Sequence, residues 1–196
     1  MSGLPLVEKK MNSRLTQLKS ALVAAMFLLP AILFLRWRPT NWLHLMLGFV
    51  IGLFYSNGFE YFFHRWALHR IGSRFAEGHS KHHESSGKPD QEEHLNFFSG
   101  SSIHVAILFL VNSMPFLLGE WAFDSRIFPG VLIGFVVYFI GMEEIHRRAH
   151  TDIGWIPSTW RTHHMIHHGH GVNANEDTNF NIFFPLFDWL LRTKQG

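Results

Sequence analysis

The sequence predicts an all-α integral membrane protein of about four transmembrane helices, with a cytosolic helical cap rich in histidine, and three observations predict it. Hydrophobic residues make up 47% of the 196 residues and charged ones only 16%, against about 25% charged in an ordinary soluble domain. Four charge-free apolar stretches are each close to the ~20 residues that a helix needs to cross about 30 Å of hydrocarbon. Fifteen His stand beside three Tyr and no Cys, and most of those His lie outside the apolar stretches. The lack of Cys excludes a disulfide framework, Cys-ligated zinc or iron–sulfur sites and thiol nucleophiles.

The first apolar stretch, Ser20 to Leu35, follows Lys9, Lys10, Arg14 and Lys19. A signal peptide has that layout, but no small-residue cleavage site follows and Pro30 sits inside, so it reads as a retained helix that Pro30 can kink. Residues 1–19 are then a cytosolic N-terminal segment and 20–196 a single membrane-embedded domain. The second stretch runs from Pro39 to Phe59, the third from Ser101 to Gly119 and the fourth from Ile127 to Met142. A buried core helix can also be apolar all round, but four such stretches in one short chain point to a bilayer.

Lys and Arg flanking the spans stay on the cytoplasmic side. With four crossings, fourteen of the seventeen fall on the side of the N-terminus, residues 60 to 100 and the segment from Glu143, and only Arg36, Arg38 and Arg126 on the other. Both termini and both long polar segments are therefore expected in the cytosol. This bias accounts for the basic balance without nucleic acid. Trp37, Trp42, Trp66, Trp121, Trp155, Trp160 and Trp189 lie mostly near predicted span ends, where aromatic anchors belong. Glu84 to Glu93, containing Ser85-Ser86-Gly87-Lys88-Pro89, is the clear loop.

Eleven His fall into four short boxes: His64-Arg-Trp-Ala-Leu-His69, His79-Ser-Lys-His82-His83, His146-Arg-Arg-Ala-His150 and His163-His164-Met-Ile-His167-His168. Residues three and four apart share a helix face, so His79 converges with His82 and His83, His146 with His150, and His164 with His167 and His168. The gap of five in the first box is about 500° of rotation, so that box either ends its helix between His64 and His69 or serves two neighbouring metals. His44, His94, His104 and His170 stand apart and are not expected to be ligands.

Ten imidazoles, two from the first box, three from the second, two from the third and three from the last, are too many for one first-row metal. Two metals with about five nitrogens each keep one octahedral position open, as an oxygen-activating centre requires. Neutral imidazole favours iron, copper, nickel or zinc, and the uncompensated charge calls for carboxylates that orient the rings. Glu60, Glu77, Glu84, Glu143, Glu144, Asp152 and Asp177 are the candidates, with Glu60, Glu143, Glu144 and Asp177 foremost. A pH sensor would not need pairs at helical spacing repeated four times. Bis-His haem would place single His within the spans, and Glu143 with His146 has no second copy to make a carboxylate-bridged di-iron bundle.

These boxes resemble those of the fatty acid hydroxylase and sterol desaturase superfamily, in order, from about Phe54 to Thr193. The run Asn173 to Thr193, with Asp177-Thr-Asn179-Phe180 and Phe187-Asp188-Trp189-Leu-Leu-Arg192-Thr193, is similar to the closing segment of that superfamily, although Asn181 and Arg192 stand where it often has Gly. The resemblance implies a membrane-bound non-haem di-iron oxygenase that hydroxylates a lipid acyl chain, of a fatty acid or sphingolipid, using O2 and electrons from a separate cytochrome- or ferredoxin-type partner. It implies two iron ions, with zinc as an isolated substitute, held by His64, His69, His79, His82, His83, His146, His150, His164, His167 and His168, with His163 as an additional candidate. Sterol desaturation or oxidation and carotenoid hydroxylation are the runners-up within the superfamily. A non-catalytic membrane metal-binding protein is the distant alternative, and His44, Asn57, His104 and Asn112 are too few and scattered for an ion path through the spans. Bacterial inner membrane and endoplasmic reticulum both fit. Phe54, Phe59, Phe62, Phe63, Phe97, Phe98, Phe180, Phe183 and Phe184 are candidate walls of an acyl-chain pocket.

Overall fold

The computed structural model describes residues 6–72, 74–88, 90–91, 94–95, 102–151, 155–171 and 174–196. Among the sequence expectations, Pro89, Glu92, Glu93, Phe97, Phe98, Asp152 and Asn173 lie outside the described residues. The chain is all-helical. In order come α1 (Leu6–Met26), α2 (Leu28–Trp37), α3 (Trp42–Phe62), a π-helical turn (Phe63–Leu68), α4 (Arg74–Ser85), α5 (Ser102–Phe123), α6 (Phe128–His150), α7 (Ser158–His167) and α8 (Leu186–Leu190), and the described residues contain no strand.

Four helical runs are long and apolar enough to cross a membrane: Leu15–Trp37, Trp42–Leu68, Ile103–Phe123 and Phe128–His150. Each contains most of one charge-free stretch read from the sequence and extends it. The first is broken at Phe27, where α1 gives way to α2. Pro30 explains the break: its ring would meet the carbonyl of Met26 in a continuous helix, whereas in the first turn of α2 its missing N–H costs nothing. Leu22, Leu29, Ile32, Leu33, Ile107, Leu110, Val111 and Leu118 are exposed on these helices, which suits lipid contact rather than water.

The described chain divides into two compact units, residues 19–56 with 101–140, and residues 1–18 with 57–100 and 141–196. In the former, α3 and α6 meet through Gly48-x-x-x-Gly52 and Gly130-x-x-x-Gly134, the small-residue spacing that lets membrane helices approach closely. A Cβ on Gly130 would stand 2.1 Å from the Leu45 carbonyl oxygen and 2.8 Å from the Phe49 nitrogen, both backbone atoms that cannot swing away. Gly130→Ala is therefore expected to cost about 2–3 kcal/mol or more as an overpacked contact. Gly119→Ala meets nothing within 4 Å and should be neutral. Thermal unfolding of the two variants in detergent checks the difference.

The α5–α6 connection of the same unit is tied by one carboxylate. Glu120, 1% exposed, accepts hydrogen bonds from Ser125 Oγ at 2.8 Å and from the backbone N–H groups of Arg126, Ile127 and Phe128 at 2.8, 3.1 and 3.3 Å. Those amides are the otherwise unpaired donors at the start of α6. Asn112, inside α5, accepts from the Tyr55 hydroxyl at 2.8 Å, so a polar pair within the apolar layer is mutually satisfied.

In the other unit, the C-terminal stretch folds back on itself and carries α8. Asp188, fully buried, accepts from the backbone N–H of Phe180 and Asn181 at 2.9 and 2.8 Å and from Thr193 Oγ1 at 2.8 Å. Asn181 Nδ2 reaches the Asn57 carbonyl and Glu60 Oε2, both at 2.9 Å, and Ile182 N–H donates to Glu60 Oε1 at 2.8 Å. Residues 178–182 are thus pinned to the end of α3.

Candidate metal centre

The ten box histidines form two groups. The first holds His64, His69, His79, His83 and His167, the second His82, His146, His150, His164 and His168, and within each group the ligand atoms all lie within 4.8 Å of one another. The pairs four apart on a helix stay together, as 79/83, 146/150 and 164/168 do. The third member departs: His82 leaves its box for the second group and His167 leaves its box for the first, so α4 and the end of α7 supply both groups. The sequence reading had the second box and His164, His167 and His168 of the last converge whole; side chains one or three residues apart diverge enough on a helix to serve adjacent centres.

The five-residue gap of the first box is resolved by the π-helical turn Phe63–Leu68. Closing hydrogen bonds from i to i+5 widens the turn, which brings His64 and His69 round to one side. Both enter the first group, so the box does not serve two metals, and the helix does end between them: the π-helical turn stops at Leu68 with His69 as its C-cap.

Nε2 atoms face one another throughout. In the first group His64 and His79 stand 3.0 Å apart, His79 and His69 3.0 Å, His83 and His79 3.0 Å, and His69 and His167 3.2 Å. In the second group His146 and His82 are 3.0 Å apart, His150 and His164 2.9 Å, and His168 and His164 3.1 Å. Metal–imidazole bonds of about 2.1 Å at right angles put neighbouring ligand nitrogens about 3.0 Å apart, so these are the edges of a coordination polyhedron. Hydrogen bonding among the rings accounts for at most one contact at each shared nitrogen, since His79 Nε2, with three ring nitrogens 3.0 Å away, carries at most one proton. The Nδ1–H of His64 donates to the Phe180 carbonyl and that of His167 to the Thr178 carbonyl at 2.7 Å, which leaves only a lone pair on each Nε2. Converging lone pairs repel unless a cation lies among them.

Burial sets the protonation state. The second group is buried throughout, whereas in the first His69 is partly exposed and the His83 side chain is 8% exposed. Burial, opposed by the Asp177 carboxylate, brings His69 down to about 4, and burial with the neighbouring His69 and His146 rings brings His83 down to about 3. Burial followed by crowding among the imidazoles also pushes His79, His82, His164, His167 and His168 down. The rings are therefore neutral at pH 7, as ligation requires. The unfolded chain takes up these protons near the ordinary value of 6.5, so their contribution to stability is complete above that pH and declines as pH falls toward 3 to 4. Metal-free protein is expected to unfold at a lower temperature at pH 5 than at pH 7.5; equal midpoints would contradict the buried neutral state.

The remaining candidates take other positions. His163 donates Nε2–H to the Asn181 carbonyl at 3.0 Å, with Asp188 Oδ2 at 3.6 Å, and belongs to neither group; nor do His44, His94, His104 and His170. Glu144 binds Arg147, Arg148 and Gln17, Glu84 accepts from Ser80, Asp177 faces Arg70 at 3.6 Å, Glu77 is exposed, and Glu143 is buried in α6. Glu60 holds Asn181 and Ile182. Among the described residues, backbone carbonyls orient three rings, Phe180 that of His64, Thr178 that of His167 and Leu95 that of His146, and no side-chain pattern signals them. Glu176, 3.8 Å from His83 Nδ1, and Asp188 also escaped the sequence reading. Of the candidate pocket phenylalanines, Phe180 is fully buried with its ring 5.5–5.8 Å from those of His64, His69 and His167. Phe63 and Phe59 stack on one another, and Phe54, Phe62 and Phe184 are exposed.

An all-helical chain with four apolar spans and two groups of five imidazoles, each able to hold a metal ion, defines a histidine-ligated membrane metal protein as its class. Residues 49–193 match the family Fatty acid hydroxylase, and the chain belongs to that family. The family consists generally of oxidoreductases, typically iron-dependent, and supports a lipid hydroxylase- or desaturase-type function. No curated protein and no solved structure matches the chain.

Proposed function

We propose that this protein is a membrane-bound non-haem di-iron oxygenase that hydroxylates a C–H bond of a lipid acyl chain. The observation that carries the reading is the pair of five-imidazole groups, spaced for coordination and, among the described residues, without a carboxylate in either group. The two groups of five imidazoles would each hold one iron, and the irons would supply the redox chemistry that activates O2 toward an unactivated C–H bond. One oxygen atom enters the substrate as a hydroxyl; the other leaves as water, with two electrons and two protons drawn from a separate one-electron carrier of ferredoxin or cytochrome type.

The chain's part is placement. The π turn after α3 and the last two turns of α6 present four of the ten rings, and α4 and the α7 end present the other six. Phe180 excludes water from the inner side of the first group, and the partly exposed His69 marks the side from which reactants reach it. The boxes and both termini lie on the cytosolic side, residues 1–19 form a cytosolic segment, and the lipid substrate comes from the bilayer.

Lipid extracts of expressing and non-expressing cells test the reading. Acyl chains heavier by one oxygen, absent with His82→Ala, are the expected result. Chains lighter by two hydrogens would make it a desaturase, and altered sterols or carotenoids would move the substrate class. Unchanged lipids with iron-loaded protein and a working donor would overturn the oxygenase reading.

A further inference from the structure

The two histidine groups are built alike in number and unlike in support. In the first, the Nδ1 atoms of His64 and His167 are tied to the carbonyls of Phe180 and Thr178. In the second, one ring, that of His146, is tied to the Leu95 carbonyl, and the Nδ1 atoms of His150, His164 and His168 are buried without a hydrogen-bond partner, as is that of His83 in the first. An imidazole whose far nitrogen is tied is fixed in tautomer and orientation, and such partners typically change metal affinity about 10–100-fold.

Both carbonyls belong to one short stretch, residues 178–180, and that stretch is held by Asp188. Its carboxylate takes the N–H groups of Phe180 and Asn181 and the Thr193 hydroxyl, while its own backbone carbonyl accepts from Thr193 and Lys194 N–H. Asn179 closes the other side, donating to the carbonyls of His163 and Gln195 and accepting from Gln195 N–H. Its φ of 56° is a left-handed conformation that asparagine tolerates better than most residues. His163 adds its ring to the Asn181 carbonyl. A buried carboxylate thus fixes the backbone whose carbonyls aim two ligands of one group, whereas the carbonyl that ties a ring of the other, Leu95 to His146, lies outside the stretch that Asp188 holds.

We propose that Asp188 is a positioning residue for the His64–His167 group alone, making that group the tighter and slower-releasing of two unequal metal sites. The inference rests on the two groups being metal sites, as proposed above. It requires the ion in the first group to outlast the ion in the second when a chelator competes, and it requires loss of Asp188 to remove that advantage.

The test uses full-length protein in detergent loaded with zinc, with release followed by a chromogenic chelator. Wild type is expected to release two ions in two phases. In a His164→Ala/His168→Ala background, which leaves the first group, Asp188→Asn should speed release about 10–100-fold. In a His64→Ala/His79→Ala background, which leaves the second group, the same substitution should leave the rate unchanged. Thr193→Val, which removes one of the three donors, is the gentler variant should Asp188→Asn fail to fold, and it should act in the same direction on the first group alone. Equal acceleration of both sites would mark Asp188 as a general fold support, and no effect on the first would sever the link; either result overturns the inference. A wild type that binds no zinc would instead overturn the metal-site reading on which the inference stands.

Discussion

Changing His82 to Ala is expected to abolish hydroxylation while the protein still inserts, folds and keeps one of its two ions. His82 Nε2 stands 3.0 Å from that of His146, and its ring lies 4.5–4.7 Å from those of His146, His150 and His168, within the buried second group. Removing it takes one of five nitrogens from that group and leaves the first group's five intact. Alanine also opens a cavity among neutral rings, so some loss of stability accompanies the loss of the ion. Full activity in His82→Ala would count against the second group as part of the reacting centre. Parallel measurements of turnover and metal content on one preparation separate this from simple misfolding.

Glu120→Ala is expected to have the largest effect on stability, and for a reason remote from the histidines. The substitution strips the acceptor from three backbone amides at the start of α6 and from the Ser125 hydroxyl, in a position 1% exposed. Leaving buried donors without partners costs about 1–3 kcal/mol each, and the wider structure recovers part of it by admitting water, so a net loss of about 3–5 kcal/mol is the expected order. Glu120→Gln keeps an acceptor oxygen and should lose less. Denaturation midpoints in detergent order the three proteins. Any Glu120→Ala protein that does fold should still bind two ions, since every box histidine lies in the other unit.

The membrane spans were legible because their signal is compositional. A run without charge is visible in one dimension, and Pro30 marked the break between α1 and α2 for a reason local to one ring. The histidines were legible as a set because spacing of three and four is a helix face. Their division between two groups was not: it depends on where α4 and the end of α7 lie relative to the rings of the π-helical turn and of α6, which is tertiary information. The first box misled a helical wheel because its turn is π-helical, a geometry that no residue in Phe63–Leu68 announces. Backbone carbonyls as ring orienters were not legible either, since Asp188 and Glu60 hold the backbone of residues 180–182 through contacts that only the folded chain makes. Arg192 occupies φ 58°, the left-handed region where glycine is easiest, which gives a physical reason for the glycine often found there in the superfamily. Asn181, by contrast, is held by its side chain.

The central claim is that each five-imidazole group holds a metal ion, and elemental analysis of detergent-purified protein, isolated without chelators, tests it most directly. The account predicts two ions per chain, iron when iron is supplied. It also predicts that one ion is lost in His64→Ala/His79→Ala and the other in His146→Ala/His164→Ala. Folded protein without bound metal, or a single ion whose loss follows from either pair of substitutions alike, would contradict it.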